Sequence, residues 1–315
     1  MPRGDEMELY APEYYKEFRC IADKCKHSCC IGWEIDIDPE SEKRYSAYSG
    51  GYGECVKSSV STEGAAHFKT GADGRCPHLD ERGLCRIITS LGENELCDIC
   101  REHPRFYNLT PQGLEVGVGA ACEAAARLIL TSDGYDRIVK ISEREEECDG
   151  AETVENGDPC EAFTGTLRIR ESIFKLLRNT SLPYSERLSK IYELCGVSPS
   201  VLSDGEWREI IWGLEYLARD SAERFSAYTS STHTEEGLGE PLSRFLAYLV
   251  YRHTGGCESE AELRCALGFA FFTERLFASL LKSEGTKEHI ELCRLISEEL
   301  EYSEDNSESI KLEFV

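Results

Sequence analysis

The sequence has no run of about 18 or more apolar residues, which is roughly the length that a membrane-spanning helix needs. Its first residues also lack the apolar stretch of about 7 to 15 residues that an export signal contains. These absences exclude an integral membrane protein of the helical kind and predict a protein without a membrane span. We therefore expect a cytoplasmic location.

Basic residues are scarce, with 35 Lys and Arg against 59 Asp and Glu and a formal net charge of -24. Proteins that bind nucleic acid contact its phosphates through clusters of Lys and Arg, and the sequence shows no such cluster. This excludes nucleic acid as the expected partner and favours a cationic one. The alternative is that the negative charge only keeps the protein soluble.

The length of 315 residues predicts two domains, because chains above about 250 residues usually split into more than one core. Residues 143–161 contain nine acidic residues and one basic residue, a composition that cannot bury a core. We therefore predict a Cys-rich metal (iron-sulfur) domain at 1–142, an acidic linker at 143–161 and an α-helical domain at 162–315.

The predicted fold class is mainly α, with a loop-rich, Cys-dense N-terminal domain followed by an α-helical bundle. Gly-rich turns in the N-terminal part favour loops with short helices over a continuous sheet. Asp38 and Pro39 predict a helix start there, and two more helices are expected at 91–100 and 120–131. Apolar periodicity predicts C-terminal helices at 167–177, 183–196, 207–225, 242–253, 261–281 and 287–300, with a short one after Ser303.

Cysteine is abundant, and ten of the sixteen cysteines precede residue 123. Thiols are kept reduced in the cytosol, so a Cys-dense sequence there points to metal binding or redox chemistry and not to disulfides. Thiolates bind soft metals, and ligands that are close in sequence lower the loop-closure cost of gathering them. The ten residues are Cys20, Cys25, Cys29, Cys30, Cys55, Cys76, Cys85, Cys97, Cys100 and Cys122.

The spacing leaves zinc and iron-sulfur open as the bound metal. Structural zinc sites prefer paired C-x2-C motifs, and only Cys97 and Cys100 have that spacing among these thiols. Iron-sulfur sites tolerate irregular spacing, and Cys20-x4-Cys25 is close to a plant-type ferredoxin run. The adjacent Cys29 and Cys30 point in different directions, so we expect only one of them at a given metal.

Several segments together resemble the flagellin lysine-N-methylases (FliB-type), which are related to a wider group of Cys-rich zinc- or iron-chelating proteins. The resemblance extends over nearly the whole chain. In one departure, the family pattern usually has Cys-Pro-Glu where this chain has Cys122-Glu123-Ala124, so the Pro is missing. The segments are Tyr10–Phe18, Gly32–Asp38, Cys76–Asp80, Gly83–Cys85, Cys100–Arg105, Cys122–Leu128, Phe245–His253 and Ile296–Asn306.

The resemblance implies an enzyme that transfers methyl groups from S-adenosylmethionine to lysine side chains of flagellin. It also implies an iron-sulfur cluster, expected to be of the 4Fe-4S type, with zinc as the alternative. In the family pattern Cys97 is often another residue. The thiols implied as metal ligands are Cys20, Cys25, Cys29, Cys30, Cys76, Cys85, Cys100 and Cys122.

Lysine methylation needs a neutral amine, although the ordinary pKa of lysine is about 10.4, so acidic groups or tyrosines are expected near the substrate. Asp36 and Tyr251 are the candidate catalytic residues, and Arg252 is a candidate for the carboxylate of S-adenosylmethionine. Arg101 and Arg105 are candidates for contact with the cofactor. The alternatives are a turn or capping role for Asp36 and a helix C-terminus for Arg252.

Two further readings compete with this one. Gly117 and Gly119 look like the turn of a classical S-adenosylmethionine fold, but such a turn needs a buried strand before it and alternating strands and helices after it. The segment before these glycines is polar and the chain after 161 is helical, so we favour the alternative that they let the backbone pass close to a metal site. The rival function is a non-catalytic zinc- or iron-binding or electron-transfer module.

Overall fold

The computed structural model describes residues 8–143, 161–217, 220–230, 238–281 and 285–315, and these residues are mainly helical, as predicted. The strands are β1 (Glu8–Pro12), β2 (Val60–Ser61), β3 (His67–Phe68), β4 (Arg105–Thr110), β5 (Gly113–Val118) and β6 (Ile138–Glu143). The helices are α1 (Pro39–Ser46), α2 (Gly51–Ser59), α3 (Arg86–Leu91), α4 (Asp98–Glu102), α5 (Glu123–Thr131), α6 (Glu161–Leu177), α7 (Tyr184–Cys195), α8 (Asp204–Gly213), α9 (Ser221–Phe225), α10 (Gly239–Thr254), α11 (Glu260–Leu280), α12 (Thr286–Ile296) and α13 (Glu304–Lys311).

The chain forms two compact units whose borders differ from the boundaries predicted at 142 and 162. The helical unit comprises residues 1–18, 106–121 and 125–315, and the cysteine-rich unit comprises 19–105 and 122–124. The first strand and the β4–β5 segment therefore belong with the C-terminal helices. Most of the predicted linker, 144–160, lies outside the described residues.

The helical unit contains a four-stranded sheet in the order β4-β5-β1-β6. β1 is parallel to β5, with Leu9 opposite Leu114, and antiparallel to β6. Here the prediction of loops and short helices without a continuous sheet was wrong. The reason is that β1 meets β5 across about a hundred residues of sequence, and such a pairing leaves no local pattern to read.

The core of the helical unit forms around α11, whose residues 266–278 are all buried, including Phe269, Phe272 and Phe277. A helix that is apolar around its circumference lies inside a fold and not on its surface. Ser259 caps its first turn by accepting a hydrogen bond from the backbone N–H of Glu262. α10 packs beside it and carries the chain from Gly239 to Thr254.

Local signals set most helix limits in this unit. Pro183 precedes α7, and Gly196 ends it in the left-handed conformation that glycine adopts most easily. The single helix predicted at 207–225 was wrong, since the chain forms α8 and α9 with a break after Gly213. The helix predicted at 287–300 is α12 followed by a π-helical turn, Ser297–Glu301.

The cysteine-rich unit has short helices, turns and the small β2–β3 pair, as the Gly-rich sequence predicts. Asp38 caps α1 by accepting from the N–H of Ser41, as expected. Ile35, Ile37 and Phe68 form part of its core. The helix predicted at 91–100 was wrong, because Gly92, at φ 112°, separates α3 from a 3-10 turn and α4.

The part of the chain that the structure describes contains no helix that is both long and apolar enough to cross a membrane.

Candidate functional site

The described ranges contain fourteen cysteines, and no disulfide joins any two of them. Nine of them form two groups in the cysteine-rich unit. We call Cys30, Cys76, Cys85, Cys97 and Cys100 the inner thiol set, since they belong to or pack against the core of this unit. We call Cys20, Cys25, Cys29 and Cys122 the outer thiol set, of which Cys20 and Cys29 are exposed.

Backbone contacts assemble the inner thiol set. The N–H of Cys76 donates to the carbonyl of Cys30 at 2.8 Å, so two cysteines 46 positions apart lie side by side. A bridge between Leu79 and Cys85 folds the next thiol back towards Cys76. Cys97 immediately precedes α4, and Cys100 lies in its first turn. Cys97, which is absent from the ligands implied by the family pattern, is completely buried and belongs to the core of this unit.

Turns and one long-range contact assemble the outer thiol set. The Cys20 thiol accepts a hydrogen bond from the N–H of Ala22 at 3.4 Å, and a 3-10 turn leads directly to Cys25. The N–H of Lys26 then donates to the carboxylate of Glu123 at 2.9 Å. This contact ties the Cys25 segment to the residue that follows Cys122.

The thiols influence each other's ionisation. The pKa of Cys76 is raised to about 12, mainly by burial and further by the neighbouring Cys30, Cys85 and Cys97. The pKa of Cys29 is raised mainly by the hydrogen bond between its thiol and that of Cys30, and further by the nearby charges of Cys30, Cys20 and Cys122. Several thiolates at this spacing repel one another, and a bound cation removes that repulsion.

The donor chemistry fits a soft metal. Both nitrogens of His78 in this unit already hold hydrogen bonds at 2.8 Å, one with the Tyr52 hydroxyl and one with the Ser59 hydroxyl. The donors that gather are therefore thiols, which suit zinc and iron-sulfur centres. Among the described residues, no three or more His, Cys, Asp or Glu side chains stand in the arrangement of a formed metal site. Metal binding would thus draw the sulfur atoms closer together.

Asp36 lies on the surface of the cysteine-rich unit. It alternates with the buried Ile35 and Ile37, and its backbone bridges to His67. The neighbouring Asp38 has a different position, since its carboxylate accepts from the N–H groups of Ser41 at 2.8 Å and Asp98 at 2.9 Å. Asp36 is thus accessible to a ligand, while Asp38 holds α1 to the start of α4.

The two arginines expected near the cofactor lie at the end of this unit. Arg101 forms ion pairs with Asp98 and with Glu102, the latter at 3.6 Å. Arg105 donates to the backbone carbonyl of Arg101 at 3.3 Å. The side chain of Arg101 is 43% exposed, so its guanidinium can exchange these partners for an anion.

Arg252 belongs to the helical unit, in a buried polar network that the sequence analysis did not foresee. Its guanidinium lies 3.3 Å from the carboxylate of Glu301 and donates to the Tyr248 hydroxyl at 2.8 Å. His253 lies 2.7 Å from the same carboxylate. The Arg252 guanidinium also stacks between Phe106 and Tyr302, at 5.0 and 4.7 Å from the ring centres.

Charge pairing dominates at Glu301. Complete burial opposes ionisation, but Arg252 and His253 outweigh it and lower the pKa of Glu301 to about 2. The same carboxylate raises the pKa of Arg252 above its ordinary value despite burial. The network therefore carries a buried ion pair. Nothing in the sequence distinguished Glu301 from the neighbouring Glu298 and Glu299.

Tyr251 is buried, and its hydroxyl lies 3.2 Å from the backbone carbonyls of both Tyr10 and Val116. It therefore ties α10 to β1 and β5. Burial raises its pKa well above the ordinary value, and Arg170 stacks on its ring. These contacts hold the fold together and leave the hydroxyl proton directed at backbone oxygens.

Gly117 and Gly119 lie in the helical unit, against side chains and not against the thiols. A Cβ on Gly117 would overlap the Phe106 ring. A Cβ on Gly119 would overlap the Tyr302 hydroxyl and lie 2.7 Å from Arg252. The interpretation of these glycines as a close approach to a metal site was therefore wrong. They make room for the Arg252 network.

A second buried acid was also missed by the sequence analysis. Glu274 on α11 is fully buried and accepts a hydrogen bond from the Tyr184 hydroxyl at 2.8 Å. Burial raises its pKa to about 7, against the opposing effects of Tyr184 and Arg275.

Known proteins share part of this sequence. No family model matches the chain, and no solved structure matches it. The chain is 28% identical over 137 residues, 41% of its length, to proteins named lysine-N-methylase from Salmonella typhimurium and Salmonella choleraesuis. The match covers 34% of each of these relatives, about a third of their length.

A third relative is matched over most of its own length. It is the flagellar biosynthetic protein FliU of Salmonella muenchen, 28% identical over 137 residues, with 80% of that protein covered. The match is shorter than the nearly full-length resemblance expected from the motifs. Over this part of its sequence, the chain is thus similar to lysine-N-methylases and to a flagellar biosynthetic protein.

Proposed function

We propose that this chain is a methyltransferase that transfers methyl groups from S-adenosylmethionine to lysine side chains of flagellin. The observation that carries the proposal is the similarity to proteins named lysine-N-methylase and to one named for flagellar biosynthesis. The cytoplasm is the proposed location, where flagellin would meet the enzyme before export.

The proposed cofactors are S-adenosylmethionine and an iron-sulfur cluster of the 4Fe-4S type, with zinc as the alternative. Cys20, Cys25, Cys29, Cys30, Cys76, Cys85, Cys100 and Cys122 are the proposed metal ligands, and the gathered thiols with their mutual repulsion support this. A bound cluster would supply electron transfer or a Lewis-acidic iron.

The chain's own residues have distinct proposed tasks. Asp36 is exposed and acidic, so it can attract and orient the cationic side chain of a substrate lysine. Arg101 exposes a guanidinium that can bind an anionic group of a cofactor by paired hydrogen bonds. The roles first expected for Arg105, Tyr251 and Arg252 stay predictions, and the contacts of Tyr251 and Arg252 favour holding the helical unit together.

Methyl transfer to a protonated lysine releases one proton to solvent, because the attacking amine must be neutral while free lysine is protonated near pH 7. Lysine loses its proton before attack, the new N–C bond replaces the S–C bond of S-adenosylmethionine, and S-adenosylhomocysteine leaves. An acidic residue alone favours the charged amine. Activity should therefore rise with pH through the alkaline range, as the neutral fraction of the substrate grows.

The test is methylation of purified flagellin by the full chain, prepared anaerobically with its metal. Mass spectrometry should show increments of one methyl group on flagellin lysines only when S-adenosylmethionine is present. Cys55→Ser, which alters an exposed thiol of the cysteine-rich unit outside both thiol sets, serves as a control and should methylate like the wild type.

Two results would contradict the proposal. Equal methylation without S-adenosylmethionine would end the enzyme assignment. A fully metal-loaded chain that neither binds S-adenosylmethionine nor modifies flagellin would instead identify a non-catalytic zinc- or iron-binding or electron-transfer module.

A further inference from the structure

The neighbouring Cys29 and Cys30 serve different surroundings. The Cys29 thiol interacts with Cys20 and Cys122 of the outer thiol set, in addition to its neighbour Cys30. The Cys30 backbone instead pairs with Cys76 at 2.8 Å, and its side chain packs against the core of the inner thiol set. The peptide bond between them is therefore the border between two groups of sulfur atoms.

The burial of the two sets differs as well. In the outer thiol set, Cys20 and Cys29 are exposed and Cys25 and Cys122 are half-buried. In the inner thiol set, Cys76 and Cys97 are only 7% and 0% exposed. One set thus faces solvent, while the other is continuous with the apolar core around Phe68 and Ile87.

The number of donors also exceeds one centre. A zinc ion or a 4Fe-4S cluster takes four protein ligands. The outer thiol set supplies four thiols, and the inner thiol set supplies five. One centre with four ligands would leave five of these nine gathered thiols without a metal.

We infer that the cysteine-rich unit binds two separate metal centres that meet at the Cys29–Cys30 peptide. The solvent-facing centre is held by Cys20, Cys25, Cys29 and Cys122. The core centre is held by four of the five inner thiols. This inference rests on the metal binding proposed above but not on methyl transfer.

The shared peptide fixes how far apart the two centres lie. Consecutive Cα atoms are 3.8 Å apart, and a metal–sulfur bond adds about 2.3 Å on each side. Because the Cys29 thiol is hydrogen-bonded to the Cys30 thiol, the two centres lie on the order of 10 Å apart or less. At this separation, two paramagnetic clusters broaden each other's electron paramagnetic resonance signals.

The centres can be separated by substitution. Cys20→Ser with Cys122→Ser removes two ligands of the outer thiol set. Cys85→Ser with Cys100→Ser removes two half-buried ligands of the inner thiol set and leaves the buried Cys76 and Cys97 in place. Cys55→Ser is the matched control, because Cys55 is an exposed cysteine of the same unit outside both sets.

The measurement is the amount of iron, sulfide and zinc per chain in the anaerobically purified 315-residue chain. We expect each double variant to keep about half of the wild-type metal and the control to keep all of it. A wild-type resonance spectrum broadened by coupling should become sharp in both double variants. Loss of all metal from one double variant and of none from the other would overturn the inference in favour of a single centre.

A second measurement covers the case in which a double variant does not fold. Anomalous X-ray scattering from crystals of the wild-type protein, at the absorption edge of the bound metal, should give two metal positions about 10 Å apart or less. A single position would overturn the inference. Two positions without methylation of flagellin would support two centres and refute the proposed activity alone, so the two claims fail separately.

Discussion

Replacing Glu301 by Gln tests the buried network of the helical unit most sharply. The substitution keeps the shape of the side chain and removes its charge. Glu301 is completely buried and pairs with Arg252 at 3.3 Å and with His253 at 2.7 Å. Without the carboxylate, the Arg252 guanidinium stays buried with no opposing charge, which is costly.

The magnitude follows from two independent estimates. The network lowers the pKa of Glu301 from an ordinary 4.5 to about 2, and such a shift corresponds to about 3 kcal/mol of stability at neutral pH. Removing one partner of a buried ion pair typically costs about 3 to 5 kcal/mol. Both point to a loss of about 3 kcal/mol in the free energy of unfolding.

Hydrogen exchange followed by mass spectrometry is the suitable assay, because it reports on α10 separately from the cysteine-rich unit. At pH 7 this loss in the free energy of unfolding should speed hydrogen exchange in α10 by roughly 300-fold. Glu186→Gln is the control, since Glu186 and Lys190 form an exposed pair at 3.7 Å and such pairs contribute at most about 1 kcal/mol.

The pH profile gives a second check. Because the folded pKa of Glu301 is depressed, its contribution is present above pH 4.5 and is lost as the pH falls towards 2. The difference in α10 exchange rate between wild type and Glu301→Gln should therefore disappear as the pH falls from 4.5 towards 2. Exchange in α10 within threefold of wild type at pH 7 would refute the assignment of a buried charge pair.

Three further outcomes are expected. Burial raises the pKa of Glu274 to about 7, so the protein loses stability as the pH rises from 4.5 through 7 and this buried carboxyl ionises. Chemical denaturation should therefore show Glu274→Gln to be about 3 kcal/mol more stable than wild type at pH 8 and little different at pH 4.5. Gly119→Ala should cost about 1 to 3 kcal/mol through overlap with Tyr302, whereas Gly165→Ala, in open space on α6, should be neutral or stabilising by up to about 1 kcal/mol in the same assay. Chelation of the bound metal should speed hydrogen exchange in α1 and leave α11 unchanged, and equal exchange in α1 before and after chelation would contradict a metal that stabilises the cysteine-rich unit.

Local chemistry made several helices predictable. Pro183 and Gly196 delimit α7, and Ser303 caps α13, because capping residues act on the backbone next to them. Asp38 gave the start of α1 for the same reason. Gly213 shows the limit of this approach, since the apolar pattern around it continues while the helix ends.

Long-range contacts were not predictable from one sequence. β1 pairs with β5 through Leu9 and Leu114, and neither segment carries a marker of the other. Tyr251 and Arg252 were predicted to act in the same reaction, as a catalytic residue and a cofactor-binding residue. Neighbouring helix residues point about 100° apart, however, and the two side chains reach different partners, backbone oxygens for Tyr251 and Glu301 for Arg252.

The thiols were predictable as a group but not in their division. Their density before residue 123 indicated metal binding. Cys29 and Cys30 were expected to point in different directions, but a hydrogen bond joins their thiols. Cys97 was left out of the ligand set because the family pattern often replaces it, yet it is fully buried among the inner thiols. Its position depends on the turns between α3 and α4, where a single helix was predicted at 91–100.

The central claim is that the thiols of the cysteine-rich unit hold metal. The most direct test is iron, sulfide and zinc analysis of the anaerobically purified full chain, together with its visible spectrum. We predict about eight iron and eight sulfide per chain with broad absorption near the violet, or about two zinc per chain without colour. A metal-free protein whose cysteines all react freely with a thiol reagent, or are joined as cystines, would contradict it.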